Sequence, residues 1–479
     1  MSWLPTPSTA RHIFYGILIG FSLSLTSTSL ALYYRDRKRE KSLEKLSPRP
    51  IELRSNEILD GVTGLIGNTP LVRINSLSDA LGVDILGKAE YLNPGGSVKD
   101  RVALRIIEDA ERQGLLHPFT GSRIFEGTVG STGISIATIA HARGYDTTII
   151  MPDDVAVEKV SALQALGADV QRVRPASIVD KKQYVNLARE YALHFTATNT
   201  HGSTHNALPP NHPHAHTLKR SESSVVVTTA ESHGNGFADT NGHAELFETE
   251  EEEIRTKPRG FFADQFENKS NFAAHFDGTG PEIWRQTNGE ATAFVSGAGS
   301  GGTIAGCGQF LKTMNEDIIV ALADPEGSGL YNKVKHGVMY DRKESEGKKR
   351  RHQVDTVVEG IGINRSTKNI ELALPIIDDA FRITDAEAVS MSRFLVQHDG
   401  LFLGSSSACN LMACVKLVKK MGWNSGEKIV TILCDSGTRH YSKFWNEEYL
   451  EKAGIPVDLG IVQDLLTQPF PPVSSITKI

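Results

Sequence analysis

Lys99 stands in the stretch Asn93-Pro94-Gly95-Gly96-Ser97-Val98-Lys99-Asp100-Arg101, just inside an expected helix start and behind a glycine loop that lets other groups come close. A lysine amine gives up its proton readily when desolvated, so one held there can form an imine with an aldehyde. Most lysines are solvated surface groups, and Lys99 alone would be read as one. Two glycine-rich loops elsewhere in the chain reverse that preference.

The first is Glu126-Gly127-Thr128-Val129-Gly130-Ser131-Thr132-Gly133, after the apolar pair Ile124-Phe125 and before an apolar stretch, 134–142, of helical length. Strand, glycine turn and helix start together bind anions: N–H groups and the hydroxyls of Thr128, Ser131 and Thr132 would face a carboxylate or phosphate at the positive end of the helix dipole. Taken alone it reads more readily as an ordinary βα turn. The second loop is Ser296-Gly297-Ala298-Gly299-Ser300-Gly301-Gly302-Thr303, again between an apolar strand, 293–295, and a helix bearing Ile304, Phe310 and Leu311. Its glycines let the backbone wrap a phosphate, and Thr303 adds a hydroxyl donor. It also nearly matches the dinucleotide pattern G-x-G-x-x-G, with Asp324 as the acidic residue some twenty positions on. That alternative leaves Lys99 without a role.

These groups need rigid supports. Val98, Val102, Ile106 and Ala110 recur every four residues and mark a buried helix stripe behind Lys99, with Ser97 as expected N-cap and Asp100 completing a variant capping box. The expected architecture is α/β, two lobes with mainly parallel sheets flanked by helices, and a cofactor in the cleft at loops after strand ends. One lobe would hold about 102–264, the other the surroundings of Lys99 together with 299–406.

With the three loops in this order the chain resembles the cysteine synthase and cystathionine β-synthase family of pyridoxal-phosphate enzymes, the β-family of fold type II, from about residue 58 to 459. Further blocks carry the likeness: Thr63-Gly64-Leu65-Ile66-Gly67-Asn68-Thr69-Pro70, Met151-Pro152 with Glu158-Lys159, Ala323-Asp324-Pro325-Glu326-Gly327-Ser328, Glu359-Gly360-Ile361-Gly362 and Asp435-Ser436-Gly437. The resemblance implies pyridoxal 5'-phosphate as cofactor, Lys99 as its Schiff-base lysine and Cα base, and Gly299, Ser300, Gly301, Gly302 and Thr303 as the phosphate loop. It implies Thr128, Val129, Gly130 and Thr132 as the carboxylate loop, with Gln265-Phe266 lining the substrate side. In Gly404-Ser405-Ser406-Ser407-Ala408 it points to Ser406 as partner of the pyridine nitrogen, the register being open by one residue. A neutral hydroxyl there makes the ring a weaker electron sink and favours elimination at Cβ.

The implied reaction is β-replacement through an aminoacrylate, with O-acetylserine as donor and sulfide as nucleophile. The chain stops soon after the catalytic region, without the paired regulatory module of cystathionine β-synthases, which tilts the expectation to cysteine synthase. A cystathionine β-synthase-like or serine-dehydrating enzyme would keep every motif named here, and a cofactor-binding membrane protein without turnover would keep Lys99 and the loop 299–303. The resemblance also implies a homodimer. One position departs from the family: Ser131 stands where asparagine, which also contacts the cofactor ring hydroxyl, is usual. Serine is shorter and donates one hydrogen, so cofactor binding should survive while substrate preference shifts.

Residues 13–34 contain no charge. As a helix they would span roughly 33 Å at 1.5 Å per residue, matching a hydrocarbon core of about 30 Å. The basic run Arg35-Asp36-Arg37-Lys38-Arg39-Glu40-Lys41 follows and outweighs Arg11, which puts the enzyme on the cytosolic side. This resembles a signal anchor of the mitochondrial outer membrane. A cleaved secretory signal, a transit peptide, or location in the endoplasmic reticulum or mitochondrial interior are the alternatives. The expected layout is anchor and linker over 1–50, catalytic domain over 51–460 and a loose tail over 461–479. A net charge of −6 gives no electrostatic case for nucleic acid. Cys307, Cys409, Cys414 and Cys434 form no C-x-x-C, so neither zinc nor a disulfide framework is expected and a reducing compartment is the simpler reading. From about 199 to 260 apolar periodicity stops; the histidines of 212–216 and the acids of 248–253 belong to an expected disordered insertion without a metal role.

Overall fold

The computed structural model describes residues 58–176, 178–195, 227–229, 257–341 and 356–469, with Tyr15, Leu30, Tyr33 and Arg37 near the N-terminus. The expected 13–34 span otherwise lies outside the described residues, as do the histidine-rich and acidic runs. Among the described residues no helix is long and apolar enough to cross a membrane.

Eleven described strands run in chain order as β1 (Leu71–Arg73), β2 (Asp84–Ala89), β3 (Arg123–Gly127), β4 (Asp146–Pro152), β5 (Asp169–Val173), β6 (Val227–Thr229), β7 (Arg259–Phe262), β8 (Ala293–Gly297), β9 (Ile319–Pro325), β10 (Asp379–Ile383) and β11 (Lys428–Leu433). They form two sheets, one ordered β1-β2-β11-β8-β9-β10 and one ordered β5-β4-β3-β7-β6. All described pairings are parallel except β1 on β2 and β6 on β7, which are edges. Inner strands covered on both faces read as continuous apolar runs, and β4, β8 and β11 are built that way.

The strands form two sheets, and the larger one reaches beyond the expected 299–406 to take β1, β2, β8 and β11, so the chain enters the smaller lobe's core only with the helix that begins at Lys99. Helix Lys99–Arg112 buries Val102, Ile106 and Ala110 in a core shared with Ile136, Ile139 and Phe261. Helix Ser405–Met421 is buried along nearly its whole length under the larger sheet, and its small residues, Ser405 to Ala408 and Ala413, let it lie close.

Three expectations need correction. The capping box at Lys99 does not form: Val98 is the N-cap, Ser97 Oγ accepts only from Lys99 N at 3.3 Å, and Asp100 reaches back to accept from Gly95 N at 2.5 Å. Burial raises the Asp100 carboxyl to about 6. Asp100 braces the glycine loop instead, and Ser97 forms a backbone bridge with Asp435. The insertion contributes edge strand β6, and its expected boundary at 260 cuts into β7. The expected tail from 461 begins with a helix, Gly460–Thr467, that buries Val462 and packs on the larger lobe.

Candidate active site

The two sheets meet at a cleft lined by Lys99, Thr128, Ser131, Gln265, Ser300 and Ser406 among others. All three loops read from the sequence converge here. Lys99 opens its helix at the junction between the lobes, where Val98 N donates to Cys434 O at 3.0 Å. Asn93 fixes the preceding turn by accepting from Gly67 N at 2.8 Å and donating to Glu90 Oε2 at 2.9 Å. Burial lowers the Lys99 ammonium below its ordinary value, outweighing the opposite pull of Cys434 and Asp435, and so favours free amine.

Across the cleft the second glycine loop ends in helix Gly302–Met314, whose N-cap Gly301 has φ 93°. The glycines are required here. A side chain on Gly299 would collide with Gly360 O, one on Gly302 with Asn271 Oδ1, and one on Gly301 would stand 2.8 Å from the backbone of Ile370. Asn271 Nδ2 donates to Ser300 Oγ at 2.8 Å, which leaves that hydroxyl proton free to point into the loop. Thr303 Oγ1 lies 3.1 Å from Nε2 of buried His275, whose other nitrogen is 3.0 Å from Thr279 Oγ1. Burial and the neighbouring Lys99 and Arg101 keep that imidazole neutral. Backbone amides at a helix start and two hydroxyls, with no carboxylate among the described residues lining this end of the cleft, form a donor set that suits a phosphate. Asp324, the acid needed by a dinucleotide site, is fully buried and accepts from Tyr331 N at 2.7 Å, so the dinucleotide alternative falls.

The first loop starts helix Ser131–Ala142, with Gly130 at φ 137° as its N-cap. Thr132 Oγ1 donates to Gln265 Oε1 at 2.6 Å, which fixes the expected glutamine against the loop. Arg439 donates to Ser131 Oγ at 3.4 Å and to Gly95 O, tying the carboxylate loop to the lysine loop. Of the three serines, Ser405 Oγ accepts from Glu359 N at 3.2 Å and Ser407 Oγ from Cys434 N at 2.8 Å, while Ser406 lines the cleft.

Six residues of the site went unassigned in the sequence. Lys159 and Glu359 form a buried ion pair across the cleft, extended by Lys443 at 2.9 Å from Glu359 Oε1. The Lys159 stem lies against Gly130. Both Lys159 and Glu359 sat in the recognised blocks, yet nothing in their spacing signalled a pair 200 positions apart. Cys434 and the His440–Asp435 pair also line the cleft, and no sequence signal marked the histidine.

The Lys159–Glu359 pair makes a prediction. Burial alone would raise Glu359, but Lys159 and Lys443 hold it down to about 2. A depressed carboxyl contributes stability above its unfolded value, so that stability should fade as pH drops from the ordinary glutamate range toward 2. Glu359→Gln strands a buried cation and should cost about 3–5 kcal/mol at neutral pH while flattening this part of the Tm-against-pH curve. An unchanged slope in the variant would refute the assignment.

The fold and the cleft define a pyridoxal-phosphate enzyme of the two-lobed α/β kind. The chain belongs to that family: the family model "Pyridoxal-phosphate dependent enzyme" matches residues 62–211 and 215–435. Among curated proteins it is similar to cysteine synthase 2 of Schizosaccharomyces pombe, 51% identical over 83% of this chain and 87% of that protein. It is also similar to cysteine synthase 2 of Emericella nidulans, 49% identical over 86% of each. A cystathionine beta-synthase of Apis mellifera is 32% identical over 83% of this chain but only 64% of its own length.

Proposed function

We propose that this protein is a cysteine synthase that replaces the acetyl group of O-acetylserine with sulfide. The observation that carries the reading is the convergence of a desolvated lysine, a phosphate cradle and a carboxylate loop on one cleft. The similarity to two cysteine synthases over most of their length supports it, as does the shorter coverage of the cystathionine beta-synthase.

Pyridoxal phosphate, when bound, supplies the aldehyde for Lys99 and a sink for the Cα electron pair. Gly299, Ser300, Gly301, Gly302 and Thr303 would hold its phosphate, and Ser406 its ring nitrogen. Lys99, whose buried amine is held largely unprotonated, removes the Cα proton and later returns it. Thr128, Val129, Gly130, Ser131 and Thr132 bind the substrate carboxylate through backbone N–H groups and hydroxyls, with Gln265 holding Thr132 in place. That contact orients the Cα–H bond toward Lys99. Adding O-acetylserine to the holoenzyme should release acetate, and sulfide should then yield cysteine. Release of water from serine with no acetate from O-acetylserine would favour the dehydrating alternative.

The uncharged span at 13–34 and the basic run after it support an anchor in the mitochondrial outer membrane with the catalytic domain toward the cytosol. The full chain should then stay in the membrane pellet after alkaline carbonate washing, while a chain starting near Leu46 stays in solution with its cofactor. Release of the full chain by carbonate would refute the anchor. A homodimer, the usual closed assembly for soluble enzymes, completes the reading; sedimentation of the shortened chain tests it.

A further inference from the structure

Resting on the cysteine-synthase reading, we propose that His440, oriented by Asp435, is the base that takes the proton from the incoming sulfur nucleophile. His440 and Asp435 are both buried yet both line the cleft, with Nε2 and Oδ2 3.1 Å apart. Burial alone would raise the Asp435 carboxyl, but His440, Arg439 and Lys159 hold it below the ordinary range, so it is ionised. An ionised carboxylate only accepts, so the imidazole hydrogen sits on Nε2 and the Nδ1 lone pair is free. No described residue makes a hydrogen bond to Nδ1.

The ring is held edge-on to Phe444, with centroids 6.3 Å apart. The charged and titratable groups around it are Cys434, Asp435 and Arg439 on its own segment, Glu359 with Lys159 and Lys443 beside it, and Lys99 from the helix that meets Asp435. Glu359 is already occupied by two lysines, burial raises the Cys434 thiol to about 11, and Lys99 is committed to the Cα proton. Among the described titratable groups lining the cleft, His440 is the one whose lone pair is not already committed to another partner.

The step balances. Loss of acetate leaves the substrate β-carbon electrophilic; the S–H bond of hydrogen sulfide breaks, its proton passes to Nδ1, and sulfur bonds to Cβ. The displaced Cα–Cβ electron pair takes the proton that Lys99 returns to Cα, and His440 passes its own proton to water. Overall, O-acetylserine and hydrogen sulfide give cysteine, acetate and one proton, with no oxidant or reductant.

A structural role is the competing account, since Gly404 at the head of the serine helix leaves room for both side chains. His440→Gln separates the two, because glutamine still donates to Asp435 but offers no base. In the variant holoenzyme, acetate release from O-acetylserine should stay within about threefold of the parent. Capture of sulfide should fall about 10²-fold below neutral pH and recover as pH rises and hydrosulfide predominates. Nitrogen-15 spectra of the parent holoenzyme should show the Nε2–H tautomer in the one histidine signal that the variant lacks. Equal losses in both half-reactions at every pH would overturn the proposal, as would no loss in either. A parent enzyme that releases no acetate would overturn the cysteine-synthase reading itself.

Discussion

Replacing Lys99 with alanine should abolish β-replacement and leave no pyridoxyl group trapped on the protein after borohydride reduction. Acid–base help alone is worth about 10²–10⁴-fold, and the variant also loses imine exchange, so the deficit should exceed that range. The fold should persist, because Lys99 is the first residue of its helix, alanine is the best helix former and Val102, Ile106 and Ala110 keep the helix docked. Cofactor should still be retained weakly through the phosphate loop. The other buried lysines near the cleft are poor substitutes. Lys88 is engaged by Glu282 at 2.7 Å and by Gln286 at 3.0 Å, and Lys159 is paired with Glu359. A reduced, digested sample carrying the pyridoxyl group on Lys88 or Lys159 would refute every role given to Lys99.

Gly301→Ala should strip the enzyme of cofactor while leaving the cofactor-free protein folded. Gly301 holds φ 93°, a conformation that costs an L-residue about 1–3 kcal/mol, and its new methyl would press on the backbone of Ile370 at 2.8 Å. Because each 1.4 kcal/mol is tenfold, cofactor affinity should fall about 10- to 100-fold. Equilibrium dialysis measures this, and the Tm of the cofactor-free protein checks that the loss is not general unfolding. Undiminished affinity would mean that the phosphate lies elsewhere.

The local chemistry was legible because it is carried by contiguous residues. Lys99 with its apolar stripe, and the two glycine loops between a strand and a helix, are short-range patterns that backbone sterics and hydrophobic periodicity impose wherever they occur. Even there the detail changed: Ser97 and Asp100 could have capped the helix, but Val98 became the N-cap and Asp100 turned back to accept from Gly95 N. The edge strand Val227–Thr229 was missed because three residues carry too little alternation to stand out in a polar stretch.

What the sequence determined by itself was Lys99 with its two glycine loops, the parallel α/β character and the order of the loops along the chain. Which of three consecutive serines faces the cleft was decided only in three dimensions, where Glu359 N and Cys434 N claim Ser405 and Ser407. The pairing of Lys159 with Glu359, the tie from Arg439 to Ser131, and the turn of His440 toward Asp435 were decided there too. The physical reason is range. Helix and turn preferences act over a few residues, whereas an ion pair or a hydrogen bond across a cleft depends on where two sheets, built from strands far apart in the chain, bring their ends together.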